Sequence, residues 1–318
     1  MKFGAQRLGL VKNLVVTLVL VGALSGCQKL SSQSQAQTQA PTPTPSPTPS
    51  LTYSAAVLSH QPIAYFRMGD SGLPGPETYH PANTSPSPSC GDALDSSTRA
   101  SSSAYRDKAF IQGSFSAWRT GFFQFGQPGA IRDADTSVTF VGLQNSNNQN
   151  SQYIELSSST AYFSGNPSGV TLEAWVKPVD VNQDRRILSF ARASNGASAM
   201  AILGGRVAGT ASAFFRGAGG ALVQLNSPPG SYVAGRWHHL VATLDSSGAK
   251  LYLNGVAVSQ SSAATLSDSL ILDALCAKIG SAPGLIVSNY AGGLDELAIY
   301  DRALSLEEIQ SHYSWRTE

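Results

Sequence analysis

The stretch RWHHLVATLDSSGAKLYLNGVAV, Arg236 to Val258, decides the fold. Near its end Asn254-Gly255 separates two alternating runs, and both residues tolerate the positive φ that a two-residue type I′ turn demands. Pairing across that turn sets Leu253 opposite Val256 and Leu251 opposite Val258, with Tyr252 and Ala257 on the other face. Upstream, Trp237 to Leu244 alternates as a further strand and turns at Asp245-Ser246-Ser247-Gly248. Three antiparallel strands in succession predict a meander in the middle of a sheet.

Outward from this stretch the pattern stays β. Val170 to Pro178, VTLEAWVKP, is a strand closed by its proline. Shorter strands are predicted upstream at Ile63–Met68, Ser137–Val141 and Tyr153–Leu156. Four more lie at Ile187–Phe190, Ala199–Leu203, Ala213–Arg216 and Leu222–Leu225, separated by Gly and Ser. Leu270–Leu272, Ala277–Ile279 and Leu294–Tyr300 complete the set. One helix is predicted, at the end, where Ser305 and Glu308 form a capping box and Ile309 shares a face with Tyr313. Residues 70–104 are rich in Ser, Pro and Gly and read as an insertion. No repeat appears, so residues 51–318 are predicted to form one all-β sandwich of two antiparallel sheets.

Charged residues make up only 13% of the chain, the texture of an extracytoplasmic β protein. The first 27 residues have the layout of a secretory signal: basic Lys2, Arg7 and Lys12, then an apolar core from Leu14 to Leu24. Without that segment 18 basic residues face 20 acidic ones, and this balance excludes nucleic acid as an expected partner. Residues 28–50 alternate Pro with Thr and Ser and hold almost nothing to bury, as in an extended stalk.

The signal ends Leu24-Ser25-Gly26-Cys27, which resembles the lipobox of bacterial lipoproteins. That resemblance implies lipidation of Cys27, a membrane anchor and a place in the cell envelope. Gln28, in place of the Asp that favours inner-membrane retention, points to the outer membrane. Cys90 and Cys276 are then left, and in an oxidising compartment they are expected to form a disulfide.

Five segments in order, GVTLEAWVKP, RWHHLVATLD, KLYLNGVAV, KIGSAPG and GGLDELAIYDRALSLEEIQSHY, are similar to the laminin G-like domains of the concanavalin A-like lectin/glucanase superfamily. AVLSHQPIAYFRMGD and DTSVTF fit its N-terminal part. The resemblance implies a jelly roll whose concave face or rim loops bind glycans or proteins. It also implies calcium as a cofactor to look for, held by acids at loop ends, with Asp70 and Asp295 as the candidates.

Catalytic motifs are missing. The E-x-D-x-x-E strand of glucanases on this fold has no counterpart, nor do H-E-x-x-H, G-x-S-x-G or the phosphate-binding loop. Asp295 and Glu296 are adjacent on a strand, so alternation sends them to opposite faces and denies them a paired role. The same alternation separates His238 from His239, and these histidines, with Trp175 and Trp237, read as framework. Trp118, Phe214 and Phe215 are the candidates for a sugar-stacking platform. The expected function is a surface-anchored, non-catalytic binding module for a polysaccharide or glycoprotein. An adhesion protein for another envelope protein and a glycan hydrolase with an atypical site are the alternatives.

Overall fold

The computed structural model describes residues 52–317, apart from 71–78, 81–88, 94–95, 98–102, 112–114, 120–122, 142–150, 158–162, 164, 192–198, 206, 218, 275 and 282–288. For Cys90, Trp118, Glu155 and Cys276 it describes the backbone alone. The expectations about the signal, Cys27 and the stalk therefore lie outside the described residues.

Two antiparallel sheets enclose one apolar core. The first runs through Val256–Ser261, Gly248–Leu253, His238–Asp245, Gly169–Pro178, Gly292–Tyr300, Thr136–Phe140 and Phe123–Pro128, with Ala64–Phe66 also paired to Gly292–Tyr300. The second runs through Leu222–Asn226, Ser212–Arg216, Ala199–Gly205, Arg185–Ala191, Cys276–Ile279, Ser151–Ser157, Ser103–Ile111, Phe115–Arg119 and Tyr79–His80. Ser89–Ala93 pairs with Ser103–Ile111. Strand Gly169–Pro178 lies between two segments far along the chain, His238–Asp245 and Gly292–Tyr300. That crossing of distant segments is the connectivity of a jelly-roll sandwich, as expected.

Alternation decides which residues enter the core. Leu172, Ala174 and Val176 point inward and meet Leu188, Leu203 and Phe215 of the opposite sheet. Each of the larger side chains, fully buried, contributes about 1.5–3 kcal/mol. The outward residues of the first sheet are buried too: Trp175, Val241, Tyr252 and Tyr300 form a second apolar layer. Helix α1 (Tyr53–Ser59) covers that layer with Tyr53 and Val57, and helix α2 (Leu306–Tyr313) covers it with Ile309. Strand Gly169–Pro178 is buried on both faces for this reason, which explains its near-continuous apolar reading.

Helix α2 begins with the predicted capping box, Ser305 and Glu308 each binding the other's backbone N–H. Helix α1 was not expected. It has seven residues, capped by Thr52, and it is held by packing of Tyr53 and Val57 more than by intrinsic preference.

The meander forms with both turn residues at positive φ, Asn254 at 54° and Gly255 at 75°. Its place differs from the prediction. Val256–Ser261 is the edge strand, so the meander ends the sheet and does not occupy its middle. A bulge between Leu251 and Tyr252 sets Leu251 opposite Ser259, not Val258, and Val256 is 60% exposed. Tyr252, on the face opposite Leu251 and Leu253 as expected, is buried in the layer beneath the helices. Leu270–Asp273 is a short 3-10 turn, not a strand, started by the Ser269 side chain accepting from the Ile271 N–H.

Candidate functional site

The outer face of the second sheet is open at its Leu222–Asn226 end, where Gln224 and Asn226 are exposed, while Ser189, Ile202, Ser212 and Phe214 on the same face are buried. Its polar row follows from the register. Arg186 lies opposite Gly204, Gly204 opposite Ser212 and Ser212 opposite Asn226, so these four share one face. The neighbouring row is Lys278, Ser189, Ile202, Phe214 and Gln224. Leu188, Leu203, Ala213 and Leu225 alternate with them into the core.

The open end of this face is strand Leu222–Asn226, where Gln224 and Asn226 are exposed. The Asn226 carbonyl accepts from Ser212 Oγ at 2.8 Å and from Gln224 Nε2 at 2.9 Å. Gly204 lets the Arg185–Arg186 backbone pack directly against it, and it must be glycine: a Cβ there would lie 2.2 Å from the Arg185 carbonyl oxygen. Farther across, the Lys278 ammonium lies over the Tyr153 ring, 3.9 Å from its centre. Arg186 is nine-tenths buried at 9% exposure. Its Nη2 sits 3.5 Å from Asp184, while Nε and Nη1 have no acceptor. Arg185 beside it is committed elsewhere, to the Asn289 carbonyl and Asp180.

Two further polar clusters belong to the framework. Buried Glu173 accepts from His239 Nε2 at 2.6 Å, from His312 Nδ1 at 2.8 Å and from the Tyr300 hydroxyl at 3.1 Å. His312 continues to His60 at 3.0 Å, and His60 Nε2 lies 3.6 Å from Glu308. Burial alone would raise the Glu173 pKa, but the His312 charge and the two histidine hydrogen bonds hold it well below the usual carboxylate range. Burial lowers His239. It opposes the charge on His312 as well, yet the Glu173 charge outweighs it and raises that pKa. His239 also stacks on Trp175, with ring centres 4.7 Å apart, so its framework reading stands.

The second cluster corrects the reading of Asp295 and Glu296. A bulge sets two residues, Glu296 and Leu297, against Ala174, because Asp295 pairs with Trp175 and Ala298 with Glu173. Glu296 takes φ 49° to do so, and Leu297 returns to the core. The two acids therefore do not separate across the sheet. Asp295 accepts from the Ala130 N–H at 2.8 Å, and Glu296 accepts from the Tyr65 hydroxyl. Burial raises both pKa values well above the usual range, and for Glu296 the Asp295 charge adds to it. The cation here is Arg67, 2.8 Å from Asp135, 3.1 Å from Asp133 and 3.5 Å from Glu296.

Asp70 is half-buried, and Gly69 beside it lies directly against the Asp135 carboxylate. Among the described residues no three His, Cys, Asp or Glu side chains are grouped to hold a metal. With Arg67 supplying the positive charge, the described residues do not fit a calcium cage at Asp70 and Asp295.

The expected stacking platform does not assemble. Phe215 points into the core with no exposure, and Phe214, on the outer face, is 3% exposed, so neither offers an open ring to a sugar. Strand pairing decides this, since Phe214 lies between Ile202 and Gln224 and Phe215 between Ala201 and Val223. The Trp118 side chain lies outside the described residues, as do those of Cys90 and Cys276. The two cysteine backbones stand three strand spacings apart, about 14 Å, with Ser151–Ser157 and Ser103–Ile111 between them. A disulfide needs Cα atoms within about 7 Å, so the expected bridge is not formed in this arrangement. The exposed polar residues that sequence reasoning missed are Gln224 and Asn226. Their signal was present: in LVQLN the polar side chains recur at every second position.

A laminin-G family model of the concanavalin A-like lectin/glucanases superfamily matches residues 148–310, just over half of the chain. The chain belongs to that superfamily. Among solved structures it is similar to the binding domain of botulinum neurotoxin serotype D, with 14% identity and a TM-score of 0.50 over 81% of this chain and 52% of that one. It is also similar to domain 4 of AbnA, a GH43 extracellular arabinanase from Geobacillus stearothermophilus in complex with arabinotriose. There the identity is 14% and the TM-score 0.43, over 80% of this chain and 98% of that one. The CBM40 of Ruminococcus gnavus IT-sialidase, bound to α2,3 sialyllactose, matches with 18% identity and a TM-score of 0.39 over 46% of this chain and 82% of that one. Among curated proteins none matches.

Proposed function

We propose that this protein is a non-catalytic glycan-binding module, tethered to the cell envelope by a lipid on Cys27 and the stalk of residues 28–50. The observation that carries the reading is the exposed pair of amides at the edge of the second sheet. Helices α1 and α2 bury Trp175, Val241 and Tyr300 on the outer face of the first sheet, while the Leu222–Asn226 edge of the second keeps Gln224 and Asn226 in solvent. Amides on a rigid sheet edge, each with donors and an acceptor, suit the dense hydroxyls of a sugar. Membership of a superfamily of lectins and glucanases supports the same class of ligand.

A hydrolytic role is less well supported. The paired acids Asp295 and Glu296 are both buried, at 1% and 0% exposure, where no substrate reaches them. A glycan array probed with the full chain tests the proposal. Retention of one or more polysaccharides, reduced in an Asn226→Ala variant, is expected, and a uniformly blank array overturns it.

A further inference from the structure

Three chain segments meet at one end of the sandwich: residues 177–181, 207–210 and 228–237. The Gly235 N–H donates to the Pro178 carbonyl at 2.7 Å, the Gly209 N–H to the Val181 carbonyl at 2.8 Å and the Gly230 N–H to the Gly209 carbonyl at 2.9 Å. These segments carry three of the seven large apolar side chains that stand exposed among the described residues: Val179 at 66%, Val207 at 49% and Val233 at 40%. A single exposed valine is ordinary, but three on loops bonded to one another make an apolar rim. Half-buried Trp237 borders it, and a Cβ on Gly293 would lie 2.9 Å from the indole and 3.3 Å from the Lys177 Cβ. Lys177 and Arg236 are exposed beside the indole, and neither has a carboxylate partner among the described residues. The acid of these segments, Asp180, is held by Arg185 at 3.3 Å.

We infer that this rim docks on an anionic bilayer surface, with the valines and the Trp237 indole among the headgroups and Lys177 and Arg236 against lipid phosphates. This rests on the lipid tether of the proposed function, which keeps a bilayer within reach, and it adds a face turned towards that bilayer. Branched side chains on loops offer no flat surface to a sugar, whereas a bilayer accepts them whatever their shape. An indole suits the membrane–water interface because its body is apolar and its N–H polar. Lys177 and Arg236 can bury their methylene stems there while their charges meet phosphate. Each such cation strengthens contact with an anionic surface roughly fivefold. The amides of Gln224 and Asn226 lie outside the three segments, so glycan binding and membrane docking are separable.

The test reconstitutes the full chain, lipidated as it matures in cells, into vesicles of phosphatidylcholine alone or mixed with phosphatidylglycerol, and reads amide hydrogen exchange. Residues 232–236 should exchange roughly tenfold more slowly on the anionic vesicles, while residues 256–261 exchange alike on both. Lys177→Gln with Arg236→Gln should remove most of that protection, and Val179→Ser with Val233→Ser should remove part of it. All four side chains are exposed, so these variants keep the fold. Equal exchange on the two vesicles, or protection unchanged in Lys177→Gln/Arg236→Gln, overturns the inference and leaves the tether standing. So does protection on neutral vesicles that grows with protein density, which assigns the rim to a second copy. Protection by soluble polygalacturonate and not by anionic vesicles overturns it in favour of a glycan. A chain that associates with neither vesicle overturns the tether as well.

Discussion

His312, on helix α2, donates from Nδ1 to the buried carboxylate of Glu173, 2.8 Å away on the first sheet and 139 positions earlier in the chain. With His239 and Tyr300 on the same carboxylate, this bond fixes the helix over the sheet. Replacing Glu173 by Gln removes the charge and leaves two histidines facing an amide. About 3 kcal/mol of stability should be lost, as for other buried pairs broken on one side. Thermal melting should show a fall of roughly 6–12 °C for a domain of this size. A shift under 2 °C would contradict the clamp.

Glu308 offers a pH test. Its hydrogen bond to Arg302, helped by the Ser305 N–H, lowers its pKa to about 2. A depressed carboxylate contributes stability above its unfolded value and loses it as the pH falls through the folded one. The melting difference between wild type and Glu308→Gln should therefore be full at pH 6 and shrink steadily from about pH 4.5 towards pH 2. A gap that stays constant over this range would show that the capping box acts without its charge. Ser305→Ala tests the other half of the box and should cost about 1 kcal/mol in denaturant unfolding at any pH.

Arg67 balances the acids at the bulge and lowers the pKa values of Asp295 and Glu296 against the pull of burial. In Arg67→Gln both carboxyls lose that help, and their raised values mean that stability falls as pH rises. The variant should be about 2 kcal/mol less stable than wild type at pH 8 and much closer to it at pH 4. Wild type should melt at the same temperature in calcium and in EDTA. A rise of several degrees with calcium would show a metal at this bulge.

Local features were legible and long-range ones were not. Asn254-Gly255 declared its turn because few pairs tolerate positive φ twice, and Ser305 with Glu308 declared the start of helix α2. Strand Gly169–Pro178 was clear because burial on both faces leaves little but apolar residues. The bulge at Glu296 was hidden, since one inserted residue reverses every facing after it and no local residue type announces it. Edge and centre were hidden too. The meander looks the same in sequence at either place, and only its pairing shows Val256–Ser261 at the rim. Phe214 and Phe215 invited a binding role through residue type alone, and the pairing of Ser212–Arg216 decided against it.

The most direct test of the central claim compares polysaccharide retention in affinity gels for the full chain and two variants. Gln224→Ala/Asn226→Ala strips the exposed amides from the second sheet, and Val256→Ser alters the exposed edge of the first. Retention in wild type and Val256→Ser, with its loss in the double variant, is the predicted result. Equal retention in all three, or retention lost only with Val256→Ser, would contradict a binding face on the second sheet.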